Sequence, residues 1–237
     1  MDKIKRKLLG ILYPKRTKCC ICGREAREAV CSSCLSLLEY IEGRVCLKCG
    51  KGIEDEYDPS VCPDCKRENK NFDMAFSCFQ YKDMGKTIVH KLKYENCKEI
   101  SYTLGRLMYQ KIVDEGIKLD AVVPVPIHES KKAIRGFNQA QLIAEEIAVG
   151  LGIPLWDCII RTKATTDQFK LDKVSRSMNV HDAFCINVLY NNVSERNILL
   201  VDDVYTTGST ADECSRILRQ QGVQRIFVIT AATGSNT

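Results

Sequence analysis

The chain has 237 residues, of which 45% are hydrophobic and 27% charged, with no low-complexity tract. This length and composition predict a globular protein of one or two domains with a well-buried core. No stretch is long and apolar enough to span a bilayer, and the apolar run after the basic start is too short for a secretory signal. We therefore exclude an integral membrane segment and expect a cytoplasmic protein.

The net charge of +5 is concentrated at the N-terminus. Residues 1–18 carry seven basic side chains and one acidic one, so this basic arm has a net charge of +6 and the rest of the chain −1. Apolar residues recur in the arm at helical spacing, at Ile4, Leu8, Ile11 and Leu12. We favour a helix that packs one face on the body. The alternative is an arm that attracts phosphate groups of nucleic acid or anionic lipid.

Residues 19–70 contain four Cys-x-x-Cys pairs. In a protein that stays in a reducing compartment, such pairs indicate metal ligands. The pairs are Cys19 and Cys22, Cys31 and Cys34, Cys46 and Cys49, and Cys62 and Cys65. Two intervening residues let a tight turn present both thiolates to one tetrahedral ion, and Zn²⁺ binds four sulfurs at about 2.3 Å. We predict two structural zinc ions, because four protein ligands would fill each site.

Spacing alone leaves the assignment of pairs to ions open. Sequential pairing would join the first two pairs at one ion and the last two at the other, but interleaved pairing has compatible spacing. Cys20 could also compete with Cys19 as a ligand.

From about Phe72 onward, the chain alternates between predicted strands and helices. The predicted elements are a strand at 120–127, a helix at 138–151, a buried strand at 197–202, a helix at 209–221 and a final strand at 223–232. This alternation predicts an α/β fold with a parallel sheet flanked by helices. The predicted divisions are a basic arm at 1–18, a cysteine module at 19–70 and the α/β domain at 71–237.

The most informative segment is residues 198–210, where an acidic pair ends a buried strand and a hydroxyl- and glycine-rich turn opens a helix. Ligands bind at the carboxyl ends of strands in open α/β sheets. We expect Asp202 and Asp203 to face solvent there and to accept hydrogen bonds from a ribose diol. The phosphate-binding candidates, which offer hydroxyls, a flexible glycine and helix N-terminal amides, are Thr206, Thr207, Gly208, Ser209 and Thr210.

This segment resembles the loop of type I phosphoribosyltransferases that binds 5-phosphoribosyl pyrophosphate (PRPP). The chain from about residue 19 to 232 resembles the ComF/ComFC competence family, whose N-terminal module is a double zinc ribbon. Residues 91–94 resemble that family's Lys-Tyr element. Residues 123–126 and 135–140 resemble its pyrophosphate-side loop and helix start, which implies roles there for Pro124, Arg135, Asn138 and Gln139. One departure is Asp182, where the family pattern has glycine.

Residues 161–178 match the spacing of the family's flexible loop and are rich in cations. Pyrophosphate leaves with heavy negative charge, which calls for Mg²⁺ and nearby cations. We therefore expect a lid that closes over the pyrophosphate, with catalytic roles for Lys163, Arg176 and Arg161.

Two functions fit this sequence. The first is transfer from PRPP to an unidentified acceptor, acting in DNA uptake, natural competence or nucleotide metabolism. The second is a non-catalytic module that binds single-stranded nucleic acid and uses the PRPP fold as a sensor. The expected partners are PRPP, single-stranded DNA and proteins of the competence machinery.

Overall fold

The computed structural model of the protein describes residues 17–53, 60–163, 180–190 and 193–234. Its strands are β1 (Thr17–Lys18), β2 (Glu25–Ala26), β3 (Met74–Gln80), β4 (Ala121–Pro124), β5 (Ile159–Arg161), β6 (Phe184–Ile186), β7 (Asn197–Tyr205) and β8 (Arg225–Thr233). Its helices are α1 (Ser32–Leu35), α2 (Pro63–Arg67), α3 (Asp83–Tyr94), α4 (Ile100–Asp114), α5 (Glu129–Arg135), α6 (Gln139–Leu151) and α7 (Ser209–Gln220). Within these ranges, no helix combines the length and apolar character needed to cross a membrane.

The central sheet has four parallel strands in the order β3-β8-β7-β4. Val201 of β7 pairs with Ile229 of β8 on one side and with Pro124 of β4 on the other. A strand buried on both faces reads as a continuous apolar run, and residues 198–201 of β7 are fully buried. The sheet confirms the predicted α/β fold. Strands β5 and β6 form a separate antiparallel pair.

Successive side chains of the central strands alternate between two hydrophobic layers. Leu199 and Val201 of β7 lie in the first layer, together with α3, α4 and α6. Ile198 and Leu200 lie in the second layer, together with α7 and the β5–β6 pair. Each half of the cysteine module packs into one of these layers: Cys19 and Cys34 into the first layer, and Cys46, Cys49 and Cys62 into the second.

Irregular segments cover both edge strands of the sheet. On the β3 edge, the Gln80 amide donates to the Glu39 carbonyl at 2.8 Å. On the β4 edge, the Val122 amide donates to the Pro154 carbonyl at 2.9 Å, and the Trp156 amide donates back to Val122 at 2.8 Å. The polar groups of both edges are therefore paired within the chain at these positions.

The predicted helix at 138–151 begins one residue later, because Asn138 is its N-cap: its side-chain oxygen accepts from the Ala140 amide at 3.1 Å. Gly152 ends that helix with φ of +68°. Strand β7 extends beyond the predicted end at Asp202 to Tyr205, since Val204 and Tyr205 still pair with β8. The divisions proposed at residues 18 and 70 stay predictions.

Candidate functional site

Two clusters of cysteine sulfurs lie in the N-terminal module, and in each cluster all four sulfurs are within 4.8 Å of one another. The first contains Cys19, Cys22, Cys31 and Cys34, and the second contains Cys46, Cys49, Cys62 and Cys65. The pairing is therefore sequential. Four thiolates at this mutual distance fit one tetrahedral Zn²⁺, and four protein ligands make a structural site. We call these clusters the first and the second zinc site.

The turns of both sites have the geometry that a Cys-x-x-Cys zinc knuckle needs. The Gly23 amide donates to the Cys19 carbonyl at 2.9 Å, and the Gly50 amide donates to the Cys46 carbonyl at 2.8 Å. Both glycines have positive φ, near +70°. Backbone amides also donate to the sulfurs, such as Cys62 N to Cys46 Sγ at 3.2 Å, which stabilises thiolate. Cys20 is not a member of either cluster.

The acidic pair lies within β7 and meets a lysine from the last turn of α3. Lys93 Nζ lies 2.9 Å from Asp203 Oδ1, with 12% and 9% of the two side chains exposed. The Asp203 amide donates to Asp202 Oδ1 at 2.8 Å. The expectation that both carboxylates face solvent is therefore wrong for Asp203, because Lys93 covers it. Residues 91–94 carry the family resemblance, but the sequence did not indicate that Lys93 contacts the acids.

The protein environment shifts the proton equilibria of this group. Burial and the neighbouring charge of Asp203 raise the pKa of Asp202 to about 7, against the opposing effects of Lys93 and Arg161. Burial disfavours the charged form of Lys93, but the carboxylate of Asp203 outweighs it and raises the Lys93 pKa above its ordinary value. Asp202 is therefore a carboxyl that gains or loses a proton near neutral pH.

The candidate phosphate loop, residues 206–210, follows β7 and runs into the N-terminus of α7. Thr207 Oγ1 and Ser209 Oγ lie 2.8 Å apart, and the Ser209 amide points at Thr207 Oγ1 at 3.4 Å. Gly208 has φ of +78°, and a Cβ there would collide with the ring of Tyr205. The N-terminus of this 12-residue helix and the nearby hydroxyls are groups suited to bind a phosphate.

The residues predicted on the pyrophosphate side differ in accessibility. Asn138 is 8% exposed and donates from Nδ2 to the Val125 carbonyl at 3.0 Å, so its contacts join α6 to the loop after β4. Gln139 is buried, and among the described residues its Nε2 has no hydrogen-bond partner. Pro124 is buried at the end of β4. Arg135 donates to Gln139 Oε1 at 3.2 Å.

Arg135 also borders an open cleft of about 720 Å³ beside the acidic pair. Its guanidinium lies 5.0 Å from the ring centroid of Tyr94. Lys93 and Lys131 line the same cleft, and among the described lining residues there is no carboxylate. The cleft is therefore positively charged and adjoins the carboxylates through Lys93, an arrangement suited to polyanionic groups.

The structure describes two of the three predicted catalytic cations. Arg161 ends β5, stacks over the Phe184 ring at 5.2 Å and is close enough to Asp202 to lower its pKa. Lys163 is exposed at the point where the described residues stop. Arg176 and most of the predicted lid lie outside the described residues, as do residues 1–16 of the basic arm.

Asp182, the departure from the family pattern, has φ of +54°. This is the left-handed region that glycine adopts without steric cost. Hydrogen bonds stabilise it: the Asp182 amide donates to Glu213 Oε1 at 2.9 Å, and Arg216 donates to Asp182 Oδ1 at 3.3 Å. The turn is retained without glycine and is tied to α7.

Comparison with known proteins supports the description of the N-terminal module. Residues 8–66 match the family model of the double zinc ribbon domain. The chain is 32% identical over 209 residues to "Competence protein F" of Haemophilus influenzae, covering 86% of this chain and 90% of that protein. It is 32% identical over 205 residues to "Competence protein ComFC" of Bacillus subtilis, covering 82% and 80%. It is 29% identical over 206 residues to "DNA utilization protein YhgH" of Escherichia coli K12, covering 84% and 88%.

Solved structures align with part of the chain. Glutamine PRPP amidotransferase from Bacillus subtilis aligns at 20% identity and a TM-score of 0.39, over 56% of this chain and 26% of that one. Adenine phosphoribosyltransferase from Trypanosoma brucei aligns at 13% identity and a TM-score of 0.40, over 61% and 68%.

Proposed function

The chain belongs to the ComF/ComFC family of competence proteins, and from this premise we propose that it binds PRPP with Mg²⁺ at the carboxyl edge of its central sheet. The observation that carries the proposal is the placement of Asp202, Asp203 and Lys93 beside the phosphate loop at the start of α7. A ribose 5-phosphate unit needs acceptors for its diol and donors for its phosphate. This edge of the sheet offers both.

We propose that Asp202 and Asp203 accept hydrogen bonds from the ribose hydroxyls. Lys93 fixes the orientation of Asp203 and offsets the charge that two adjacent carboxylates would otherwise accumulate. Thr206, Thr207, Ser209 and Thr210 donate to the 5′-phosphate, and Gly208 allows the backbone to turn around it. The pyrophosphate end then extends toward Arg135, Gln139 and the cationic cleft.

Transfer of the ribosyl group requires stabilisation of the leaving pyrophosphate. Mg²⁺ bound with PRPP would supply part of the positive charge that stabilises the pyrophosphate. Arg161, Lys163 and Arg176 are our candidates for the rest, with the segment 161–178 as the lid that excludes water. Asn138 acts by holding α6 against the β4 loop, because its side chain is occupied by that contact.

We propose a cytoplasmic role in DNA uptake or nucleotide metabolism. Relatives are named for competence and DNA utilization, and eight thiolates that bind zinc need a reducing compartment. Single-stranded DNA and competence-machinery proteins are the proposed macromolecular partners. The second candidate function, non-catalytic nucleic-acid binding with PRPP as a signal, shares the same PRPP site.

Calorimetric titration with Mg-PRPP tests the binding proposal. The Asp202→Asn variant should bind at least about tenfold more weakly than wild type, since one charge-assisted acceptor is lost. Asp120→Asn is the matched control, because Asp120 precedes β4 at the opposite end of the sheet. Equal affinity in a folded Asp202→Asn variant would refute the proposal. Pyrophosphate release with a panel of bases and single-stranded DNA then separates an enzyme from a sensor.

A further inference from the structure

Phe72 lies between the second zinc site and the phosphate loop. Its side chain is fully buried, and its ring meets the ring of Tyr205 edge-on, with centroids 6.3 Å apart at an interplanar angle of 86°. Edge-to-face aromatic pairs have a preferred geometry and contribute beyond their buried area. Tyr205 is the last residue of β7, directly before the loop. The position of Phe72 therefore constrains where the loop begins.

The second zinc site holds Phe72 from the other side. Lys48 lies between Cys46 and Cys49 in the zinc knuckle, and its ammonium donates to the Phe72 carbonyl and lies 5.5 Å from the Phe72 ring centroid. The Lys48 carbonyl accepts from the Ala75 amide at 2.8 Å. The knuckle is thus bonded to the segment that carries Phe72, and displacement of the knuckle would release that segment.

Tyr205 in turn supports the backbone of the loop. A Cβ at Gly208 would collide with the Tyr205 ring, so the left-handed residue of the loop packs directly on that ring. Tyr205 is 3% exposed and fixed by its main chain, whose carbonyl accepts from the Gly234 amide at 3.1 Å. A shift of the ring would change the space available to the loop backbone at Gly208.

A second link joins the end of the ribbon to α7, the helix that the loop opens. The Asn71 amide and Nδ2 both donate to Asp212 Oδ1, at 2.6 and 3.1 Å. Arg219 Nε donates to the Asn71 carbonyl at 3.0 Å. Asp212 belongs to the first turn of α7, so Asn71 fixes the helix at the end whose amides face the loop.

We propose that the second zinc site positions the phosphate loop through Phe72 and Tyr205, so that zinc binding at Cys46, Cys49, Cys62 and Cys65 and phosphate-ester binding at residues 206–210 are coupled. The ligand half of this inference rests on the proposed function. Coupling of two sites is reciprocal: if zinc orders the loop for the ligand, the ligand must retain the zinc. Phe72 and Tyr205 are positioning residues in this scheme.

The first zinc site provides an internal comparison. Its buried cysteines, Cys19 and Cys34, pack in the opposite layer of the sheet. Its ribbon contacts α4, where Arg106 forms an ion pair with Glu28 at 2.6 Å. The coupling should therefore be specific to the second site.

Hydrogen exchange of the two-zinc protein tests the positioning directly and needs no ligand. Phe72→Leu should speed exchange of the amides in residues 206–210 by on the order of tenfold, through a loosened contact with Tyr205. Exchange in residues 198–201 of β7 should not change. Phe79→Leu is the matched control, because Phe79 is equally buried but lies in the opposite layer. Lys48→Met removes the contacts of the Lys48 ammonium with the Phe72 carbonyl and ring and should act in the same direction.

Loop exchange that equals wild type in Phe72→Leu and Lys48→Met would overturn the proposal. So would faster exchange throughout the sheet, because it would show general destabilisation.

A second experiment measures the rate of zinc release to a chromogenic chelator, with and without ribose 5-phosphate. The ligand should slow release of one of the two ions several-fold, and Phe72→Leu should abolish that effect. If the ligand binds but neither ion is retained, the coupling is wrong and the proposed function stands. If neither ribose 5-phosphate nor PRPP binds, the proposed function fails and the exchange data alone decide the positioning.

Discussion

Lys93 and Asp203 form a largely buried ion pair, with Nζ and Oδ1 2.9 Å apart, that joins the end of α3 to β7. Burial and the charge of Asp203 raise the pKa of the adjacent Asp202 to about 7, although Lys93 and Arg161 act in the opposite direction. The two acids of the motif are therefore not equivalent. Asp203 is held in one orientation by its partner, whereas Asp202 stores unfavourable electrostatic energy that a ligand could relieve.

The first prediction is that Asp202→Asn stabilises the protein at alkaline pH. The folded-state pKa of about 7 exceeds the unfolded value of about 3.9, so the folded protein binds more protons between these values and stability falls as pH rises through that window. Asparagine does not titrate. Urea unfolding should show the variant more stable than wild type at pH 8, with the difference shrinking toward pH 4. A constant difference across this range would contradict the raised pKa.

The second prediction concerns the ion pair. Lys93→Met leaves the Asp203 carboxylate buried without its cation and should lower the free energy of unfolding by about 3 kcal/mol. Adding Asp203→Asn should restore much of that stability, because no buried charge is then left uncompensated. The double variant should still bind Mg-PRPP on the order of tenfold more weakly than wild type. Denaturant titration and calorimetry measure the two effects, and full recovery of binding would exclude a role for Asp203 in holding ligand.

The third prediction is a zinc-to-chain ratio near two in protein purified without chelators, measured by elemental analysis. Cys46→Ser with Cys49→Ser should reduce the ratio to near one, since the remaining sulfurs of the second site cannot complete a tetrahedral site. A wild-type ratio near one would refute the two-site assignment. Cys20→Ser is the control and should leave the ratio unchanged.

The fourth prediction uses the left-handed backbone at Asp182. Asp182→Ala keeps the unfavourable φ and loses the contact with Arg216, so it should lower stability by about 1 kcal/mol. Asp182→Gly loses the same contact but removes the steric cost, and should be closer to wild type. Thermal unfolding compares the two variants. Equal losses would mean that the side-chain contacts, rather than the backbone, determine this turn.

The fifth prediction concerns the basic arm. Deleting residues 1–16 preserves β1, which begins at Thr17, and removes six basic side chains and one acidic one. If the arm contacts single-stranded DNA, each lost phosphate contact should reduce the salt-dependence slope by about 0.7. Fluorescence anisotropy over a range of salt concentrations gives that slope. An unchanged slope would place any DNA contact elsewhere, with the cleft beside Arg135 as the next surface to test.

Locally encoded features were predictable from the sequence. The buried run of β7, the cap at Asn138 and the glycine that ends α6 each depend on residues close in the chain. The ligand sets of the zinc sites were reduced to a few alternatives by spacing. Only the three-dimensional arrangement of the knuckles selects sequential pairing, because the interleaved alternative has the same local turns.

The contacts that determine the burial and the charge partners of the site residues join segments that are distant in the chain. Lys93 reaches Asp203 because α3 packs beside β7, and no periodicity in either segment indicates that the two meet. The burial of Asp203 follows from that contact, which is why the expectation of a solvent-facing carboxylate was wrong. The role of Phe72 likewise depends on the packing of the second ribbon against Tyr205. The roles assigned to the predicted site residues stay predictions, and the sequence did not indicate that Lys93 is the electrostatic partner of Asp203.

The covered edges of the central sheet limit how this protein can associate with others. Segment 39–48 bonds along β3, and segment 154–156 bonds along β4. A partner protein therefore finds no open ladder at these positions and cannot dock by adding a strand, so it must recognise side chains and loops. We also expect the ribbons to limit aggregation through this edge. Loss of zinc would unfold the segment over β3 and expose an apolar edge strand to other copies of the chain.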